Sequence, residues 1–168
     1  PEEGLGGTGD DSLTMQTPDD SLIGGAGDDT LTGAGEEGVL IGGSGDDVLS
    51  VSSALFSRVD GGTGRDSLTL DGEGLHLDLT RIGTPRLQSI EVIDLGGDEN
   101  TLRIDAAEVL RLSESTNTLR VLGESGDQVQ LVGMEWRQVD GVIEDGITYS
   151  VYESGTARVE IQDGVGLA

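Results

Sequence analysis

Cysteine is absent from this 168-residue sequence, so neither a disulfide framework nor a thiolate metal site holds it together, a pattern that fits a secreted protein stabilised by other means. Lysine is absent as well. All 9 bases are arginine and they face 33 acids, for a formal net charge of −24. That balance excludes nucleic acid as a partner, because phosphate binding needs basic surface, and it disfavours anionic membranes for the same reason. No apolar run approaches the roughly 20 residues of a membrane-spanning helix, so membrane insertion is not expected. Aromatic residues amount to 2% of the chain (Phe56, Trp136, Tyr149 and Tyr152) and hydrophobic residues to 34%, which limits what burial alone contributes. No N-terminal leader is visible either: Pro1 opens the chain in mid-repeat, as expected of a piece of a longer protein.

What the chain does have is glycine, 29 residues of it, in a periodic arrangement. GGTGDDSLT begins at Gly6, GGAGDDTLT at Gly24, GGSGDDVLS at Gly42 and GGTGRDSLT at Gly61. Between them, in the same frame, lie the weaker nonamers MQTPDDSLI from Met15 and GAGEEGVLI from Gly33, and the ten-residue VSSALFSRVD from Val51. An apolar residue recurs at the eighth position of the nonamers: Leu13, Leu22, Leu31, Leu40, Leu49, Val59 and Leu68. Each unit reads as a six-residue turn followed by a three-residue strand whose middle side chain points inward. Glycine supplies the positive φ angles that such tight corners need. Two units make one coil of a flattened right-handed helix of parallel strands, so turns two units apart stack on the same edge. The glycine-aspartate turns therefore share one edge and the degenerate turns share the other.

The pattern GGxGxDxUx, with U apolar, resembles the calcium-binding nonapeptide of the RTX (repeats-in-toxin) family. The resemblance implies an all-β fold whose first part, residues 1–71, is a right-handed parallel β-roll. It also implies Ca2+ ions held between stacked turns by first- and third-position carbonyls and the sixth-position aspartate. Carried onto this sequence, the carboxylates are Asp11, Asp29, Asp47 and Asp66, and the carbonyls belong to Gly6, Thr8, Gly24, Ala26, Gly42, Ser44, Gly61 and Thr63. Four stacked turns enclose three gaps, so about three ions are expected in a row, each held by oxygen as a hard cation prefers. The opposite edge departs from the pattern: Pro18 and Asp20 replace part of the motif, Gly38 occupies the aspartate position behind Glu36 and Glu37, and Val51 to Phe56 carries no carboxylate. That edge is expected to bind calcium weakly or not at all.

After Asp71 the nonamers stop. Residues 72–168 read as a mostly β cap packed on the roll as one unit, with strand-like runs LHLDLT, IEVIDL, TLRI, TLRVLG and VQLVG. One helix is predicted in DAAEVLRLSE, with Asp105 and Glu108 as a capping box and Val109, Leu110 and Leu112 facing inward. ITYSVY and ARVEIQ flank the connection ESGT and predict an antiparallel hairpin. A cap that closes the solenoid rather than extending it is expected, because an open end exposes unpaired backbone groups. From about Leu75 to Ala168 the chain also resembles a segment that follows RTX repeats near the C-terminus of very large bacterial surface adhesins. That resemblance implies export by a type I secretion system and a location outside the cell or on its surface.

Catalytic constellations are scarce. His76 is the only histidine and lies in a strand pattern, and no serine sits in an elbow motif. The pairs Asp10–Asp11, Asp28–Asp29 and Asp46–Asp47 suggest a glycosidase dyad at first sight, but neighbours along an extended chain point to opposite sides, and repetition favours a metal ladder. Trp136, Tyr149 and Tyr152 fit either a sugar-stacking platform or the core of the tail. Asp94, Asp98, Asp127 and Asp145 read as solvated faces and turn formers, with a further calcium site among them as the alternative. The reading that results is a noncatalytic, monomeric calcium-binding module of a secreted RTX adhesin. Calcium and, during export, the secretion machinery are its partners, and a glycan or protein ligand is open. Two rivals stand beside it: the C-terminal β-roll of a secreted metalloprotease, lipase or polysaccharide epimerase, and a calcium-dependent glycan-binding module.

Overall fold

The computed structural model describes residues 2–83, 86–97, 99–133 and 135–168; Pro1 and Asp98 lie outside the described residues. The fold is all-β, with 52% of residues in strands. Eight strands make the first four coils: β1 (Glu3–Thr8), β2 (Ser12–Thr14), β3 (Ser21–Ala26), β4 (Thr30–Ala34), β5 (Val39–Ser44), β6 (Val48–Val51), β7 (Arg58–Thr63) and β8 (Ser67–Leu70). Odd-numbered strands pair in parallel in one sheet and even-numbered strands in another. Register follows the repeat, with Leu22 opposite Leu40 and Leu40 opposite Val59, and with Leu31 opposite Leu49 and Leu49 opposite Leu68. The inward residue at each eighth position is thereby stacked on its equivalent in the next coil. All of them from Leu22 onward are buried, and Leu13, in the first coil, is half-buried.

The two strands of a coil are unequal, unlike the uniform three-residue strands predicted. Those of the first sheet run six residues and take in the first three motif positions, as in SLIGGA of β3, while those of the second sheet run three to five. The turn proper is correspondingly short. The ladder passes over the first-position glycine, pairing Ile23 with Ile41 and then Gly25 with Gly43, and brings the backbones of successive turns into contact, which the small residues there permit.

The extra residue of the ten-residue unit is absorbed on the degenerate edge, where Phe56 fills the interior at 0% exposure. Arg86 covers its ring at 5.1 Å and donates to the carbonyls of Phe56 (2.6 Å) and Ala54 (2.9 Å). As the largest fully buried side chain of the core, Phe56 carries a predicted cost. Phe56→Ala should lower the unfolding free energy by about 3–5 kcal/mol, read by denaturant unfolding in excess calcium. A loss below about 1 kcal/mol would mean that this corner collapses freely around the gap.

The nonamers end at Asp71 but the stacking does not, contrary to a tail that only closes the solenoid. The next elements are β9 (His76–Asp78), a short 3-10 helix (Leu79–Arg81), β10 (Leu87–Gln88), β11 (Val92–Asp94), β12 (Thr101–Ile104), α1 (Ala106–Leu112), β13 (Thr118–Leu122) and β14 (Gln128–Leu131). They are followed by β15 (Arg137–Glu144), β16 (Ile147–Ser154), β17 (Ala157–Gln162) and β18 (Gly166–Leu167). The second sheet runs β2-β4-β6-β8-β11-β13-β17, parallel throughout, and a third parallel sheet, β9-β12-β14-β18, lines a new side of the longer coils. Its corner is held by Asn100, fully buried, whose side chain accepts from Leu75 N–H (2.6 Å) and donates to the carbonyls of Gly72, Leu95 and Gly97.

α1 follows β10 at the edge of the first sheet, where Leu112 C=O accepts from Ile90 N–H and Arg111 donates to Leu87 C=O. Asp105 caps it by accepting from Glu108 N–H at 3.0 Å. The other half of the expected capping box is replaced, because the Glu108 carboxylate binds Arg111 instead. The predicted hairpin forms as β16 and β17, with only Gly155 and Thr156 outside the strands, and β15 adds antiparallel to β16 to finish the sheet. Buried apolar side chains from Leu22 to Ile161 form one cluster. No helix among the described residues is long and apolar enough to cross a membrane.

Candidate metal centre

Each glycine-aspartate turn joins a strand of the first sheet to one of the second, and the four turns stack along one edge. All twelve residues expected from the sequence lie on this edge: the first-position glycines inside β1, β3, β5 and β7, the third-position residues at the ends of those strands, and each aspartate just before the next strand. The second and fourth positions of each motif are glycine for their backbone, with φ between 99° at Gly9 and 136° at Gly64. First-position glycines have another reason. Their φ is not positive, but a Cβ on any of them would lie closer than 3.0 Å to an aspartate oxygen and to a carbonyl of the following coil. At Gly6 the Cβ would lie 2.7 Å from Asp11 Oδ2, and at Gly24 2.7 Å from the Gly42 carbonyl oxygen. At Gly42 it would lie 2.5 Å from the Gly61 carbonyl oxygen. Over each first glycine, then, a carboxylate oxygen of one turn and a carbonyl oxygen of the next converge on a space that any other residue would fill.

Two carboxylate ladders run along this edge in opposite senses. Asp29, Asp47 and Asp66 accept through Oδ1 from the N–H of Asp11, Asp29 and Asp47 respectively, at 2.8–2.9 Å. Asp10, Asp28 and Asp46 accept from the turn on their other side, from the N–H of Asp28, Asp46 and Arg65. The doubled aspartate of the motif thus ties each turn to both neighbours. Third-position carbonyls add to the stack: those of Ala26, Ser44 and Thr63 accept from the N–H of Gly9, Gly27 and Gly45.

The inner ladder leaves something over. Oδ2 of Asp29, Asp47 and Asp66 is buried and has no hydrogen-bond partner, although these residues are at most 1% exposed. A buried carboxylate with one oxygen unanswered is costly. Burial accordingly raises the carboxyl pKa of Asp47, and pushes that of Asp66 up to about 7, with the charges of neighbouring acids adding to both. A carboxyl whose pKa is raised on folding stabilises the fold below its unfolded pKa and loses that contribution as pH rises toward the folded value. Near neutral pH, then, these groups oppose folding unless a cation takes the place of the proton.

The donors present fit such a cation. At each first-position glycine the oxygens that converge are those of a carboxylate and a backbone carbonyl, the hard donors that Ca2+ takes. Asp20 on the other edge shows the contrast. Its carboxylate accepts from the N–H of Glu2, Gln16 and Thr17 and from the Thr17 hydroxyl, which holds its pKa well below the usual range and leaves it no oxygen to offer. Gly38 occupies the matching place in the next coil, so no ladder forms there.

The ladder also reaches a residue that the repeats do not mark. Val92 pairs with Ser67, so Glu91 stands in register with Asp66, and its Oε2 accepts from Asp66 N–H at 2.9 Å. The signal was present in EVID, an acid before an alternating strand as in DSLT, but without glycines ahead of it. The remaining candidates fall elsewhere. His76 is exposed on β9, Trp136 and Tyr152 pack against the apolar cluster, and Tyr149 is covered by Arg120, whose guanidinium lies 4.6 Å from the ring centre. Asp127 is buried and accepts from the N–H of Asn100 and Glu124, while Asp94 accepts from Gly96 N–H. Asp145 is an exposed turn residue with φ 52°.

No family model matches the chain, and neither does a curated protein or a solved structure. The likeness to calcium-binding nonapeptides rests on the residues of the repeats.

Proposed function

We propose that the chain is a noncatalytic calcium-binding module, a right-handed parallel β-roll that folds when Ca2+ binds between its glycine-aspartate turns. The observation that carries this reading is the row of buried, unpartnered aspartate oxygens facing carbonyls of the next coil. Asp29 and Asp47, with the half-buried Asp11 and carbonyls of the stacked turns, would hold the row, and the bound cation would supply the charge compensation that the buried Asp29 and Asp47 lack.

Metal that binds the folded chain alone adds RT ln(1 + [Ca2+]/Kd) per site to stability. Extracellular calcium modules bind with Kd of roughly 10⁻⁴ to 10⁻³ M. At ten times Kd each ion contributes about 1.4 kcal/mol, so three contribute about 4 kcal/mol, a large share of a typical domain stability of about 5–15 kcal/mol. Calcium at millimolar levels therefore decides whether a chain of this composition folds.

The charge of −24 gives the switch its other half, since self-repulsion keeps the chain extended where calcium is scarce. An extended chain threads an exporter, and calcium outside the cell collapses it and opposes its return. We place the module in a secreted or surface-attached bacterial adhesin exported by a type I system, on the resemblance of its tail and on this chemistry. The test is far-ultraviolet circular dichroism of the chelator-treated chain during a Ca2+ titration, with Mg2+ as control. A cooperative, calcium-specific coil-to-β transition is expected; full β structure in chelator, unchanged by calcium, would overturn the reading.

A further inference from the structure

Four nonapeptide turns enclose three gaps, yet the geometry that marks each gap occurs a fourth time. A Cβ on Gly61 would lie 2.5 Å from Asp66 Oδ2 and closer still to the carbonyl oxygen of Ser89. Ser89 belongs to no nonamer. It follows β10, whose Gln88 pairs with Asp60 of β7, and so it stands in register with Gly61. Asp66 is fully buried and its Oδ2 has no partner. Glu91, in the place of the next aspartate, accepts from Asp66 N–H as each inner-ladder aspartate does from the one before.

The turn that carries Ser89 and Glu91 differs from the others in one respect. Five residues, Gly61–Arg65, lie between the register positions Asp60 and Asp66, whereas only Ser89 and Ile90 lie between the equivalents Gln88 and Glu91. The three missing residues are those that would stack over Gly62, Thr63 and Gly64. A cavity of about 390 Å³ occupies their place, lined by Gly62, Gly64, Ser89, Glu91, Arg111 and Glu114 among others. The fifth turn thus offers a first-position carbonyl and an acid but no third-position carbonyl.

We infer that this step is a fourth divalent-cation site, built by Asp66, the Ser89 carbonyl and Glu91, and open on one side to the cavity. Calcium takes six to eight oxygen ligands, so an ion held by a shortened turn completes its shell with water from the cavity. The site rests on the calcium reading of the other three steps. It differs from them in being hydrated and exchangeable, and in closing the row with residues outside the repeat.

The experiment counts bound calcium by equilibrium dialysis at saturation, on the wild-type chain and on Asp66→Asn. The amide still accepts from Asp47 N–H, a bond now 2.9 Å long, but loses the charge. Four ions in the wild type and three in the variant, with the β signal retained, are expected. Three ions in both, or four in both, would overturn the fourth site while leaving the row intact. No bound calcium at all would overturn the whole calcium reading instead. Should Asp66→Asn fail to fold, Tb3+ substituted into the wild type decides through its luminescence lifetimes in H2O and D2O. One ion carrying more coordinated waters than the rest supports the site, and uniform hydration refutes it.

Discussion

Gly42→Ala should raise the calcium concentration needed for folding at least tenfold, while Gly83→Ala shifts it less than threefold and in the opposite direction. Gly42 is not in the left-handed region, so alanine is allowed there by its backbone. Its Cβ, however, would enter the space between Asp47 Oδ2 and the Gly61 carbonyl oxygen. That carbonyl lies inside β7, between the paired residues Asp60 and Gly62 of a parallel ladder, and cannot move without displacing its neighbours. The methyl group therefore blocks a cation or forces adjacent coils apart, and overpacking of this kind costs about 1–3 kcal/mol before any ion is lost. Gly83 is exposed and an added Cβ meets nothing within 4 Å. Replacing it tests what the loss of a glycine does through the unfolded chain alone, an effect of about 0.4–1 kcal/mol in the stabilising direction. Calcium midpoints by circular dichroism compare the two. A Gly42→Ala midpoint within threefold of wild type would mean that the first-position glycine is not a cradle.

The parts of this molecule that could be read from sequence are those where a constant period carries the geometry. Leu31, Leu49 and Leu68 stack because each stands at the same place in units of nearly equal length, and that length is visible as a repeat. The same constancy places the twelve motif residues on one edge. Beyond Leu70 the coils continue but their lengths change: Ser67 pairs with Val92, Val92 with Arg120 and Arg120 with Glu160. No fixed offset relates these residues, so the run of parallel strands was visible only as separate alternating segments. Glu91 was hidden for the same reason, since its acid sits at the right register in a turn of the wrong length. Asn100 was hidden by chemistry rather than spacing. An asparagine among loop residues gives no sign that its amide will satisfy three carbonyls at a buried corner. The helix was legible from its cap, but the partner of Glu108 was not, because Arg111, one turn on, competes for the same carboxylate.

Asp47→Asn should change sign with calcium: destabilising in millimolar Ca2+, stabilising in chelator. Asp47 is fully buried, and its Oδ1 accepts from Asp29 N–H at 2.8 Å. Asparagine keeps that acceptor and can turn its NH2 toward the Gly61 carbonyl. With calcium bound, the variant loses one anionic ligand, and the midpoint rises by about tenfold for each 1.4 kcal/mol of lost binding energy. In chelator the same substitution removes a charge that burial and the neighbouring Asp29, Asp28 and Asp46 all disfavour, so whatever β structure persists there should melt higher than in wild type. A purely structural aspartate would give losses of one sign in both conditions, and that result would sink the metal assignment at this step. Replacing Asp29 and Asp47 together by alanine removes two ladder acceptors as well as two ligands, and should shift the midpoint further than the asparagine. Asp19→Ala supplies the comparison, because Asp19 is exposed on the degenerate edge and bonds the Thr17 hydroxyl. An equal shift for Asp19→Ala would mean that calcium is held by diffuse acidity rather than by the one edge whose buried carboxylate oxygens are left without a partner.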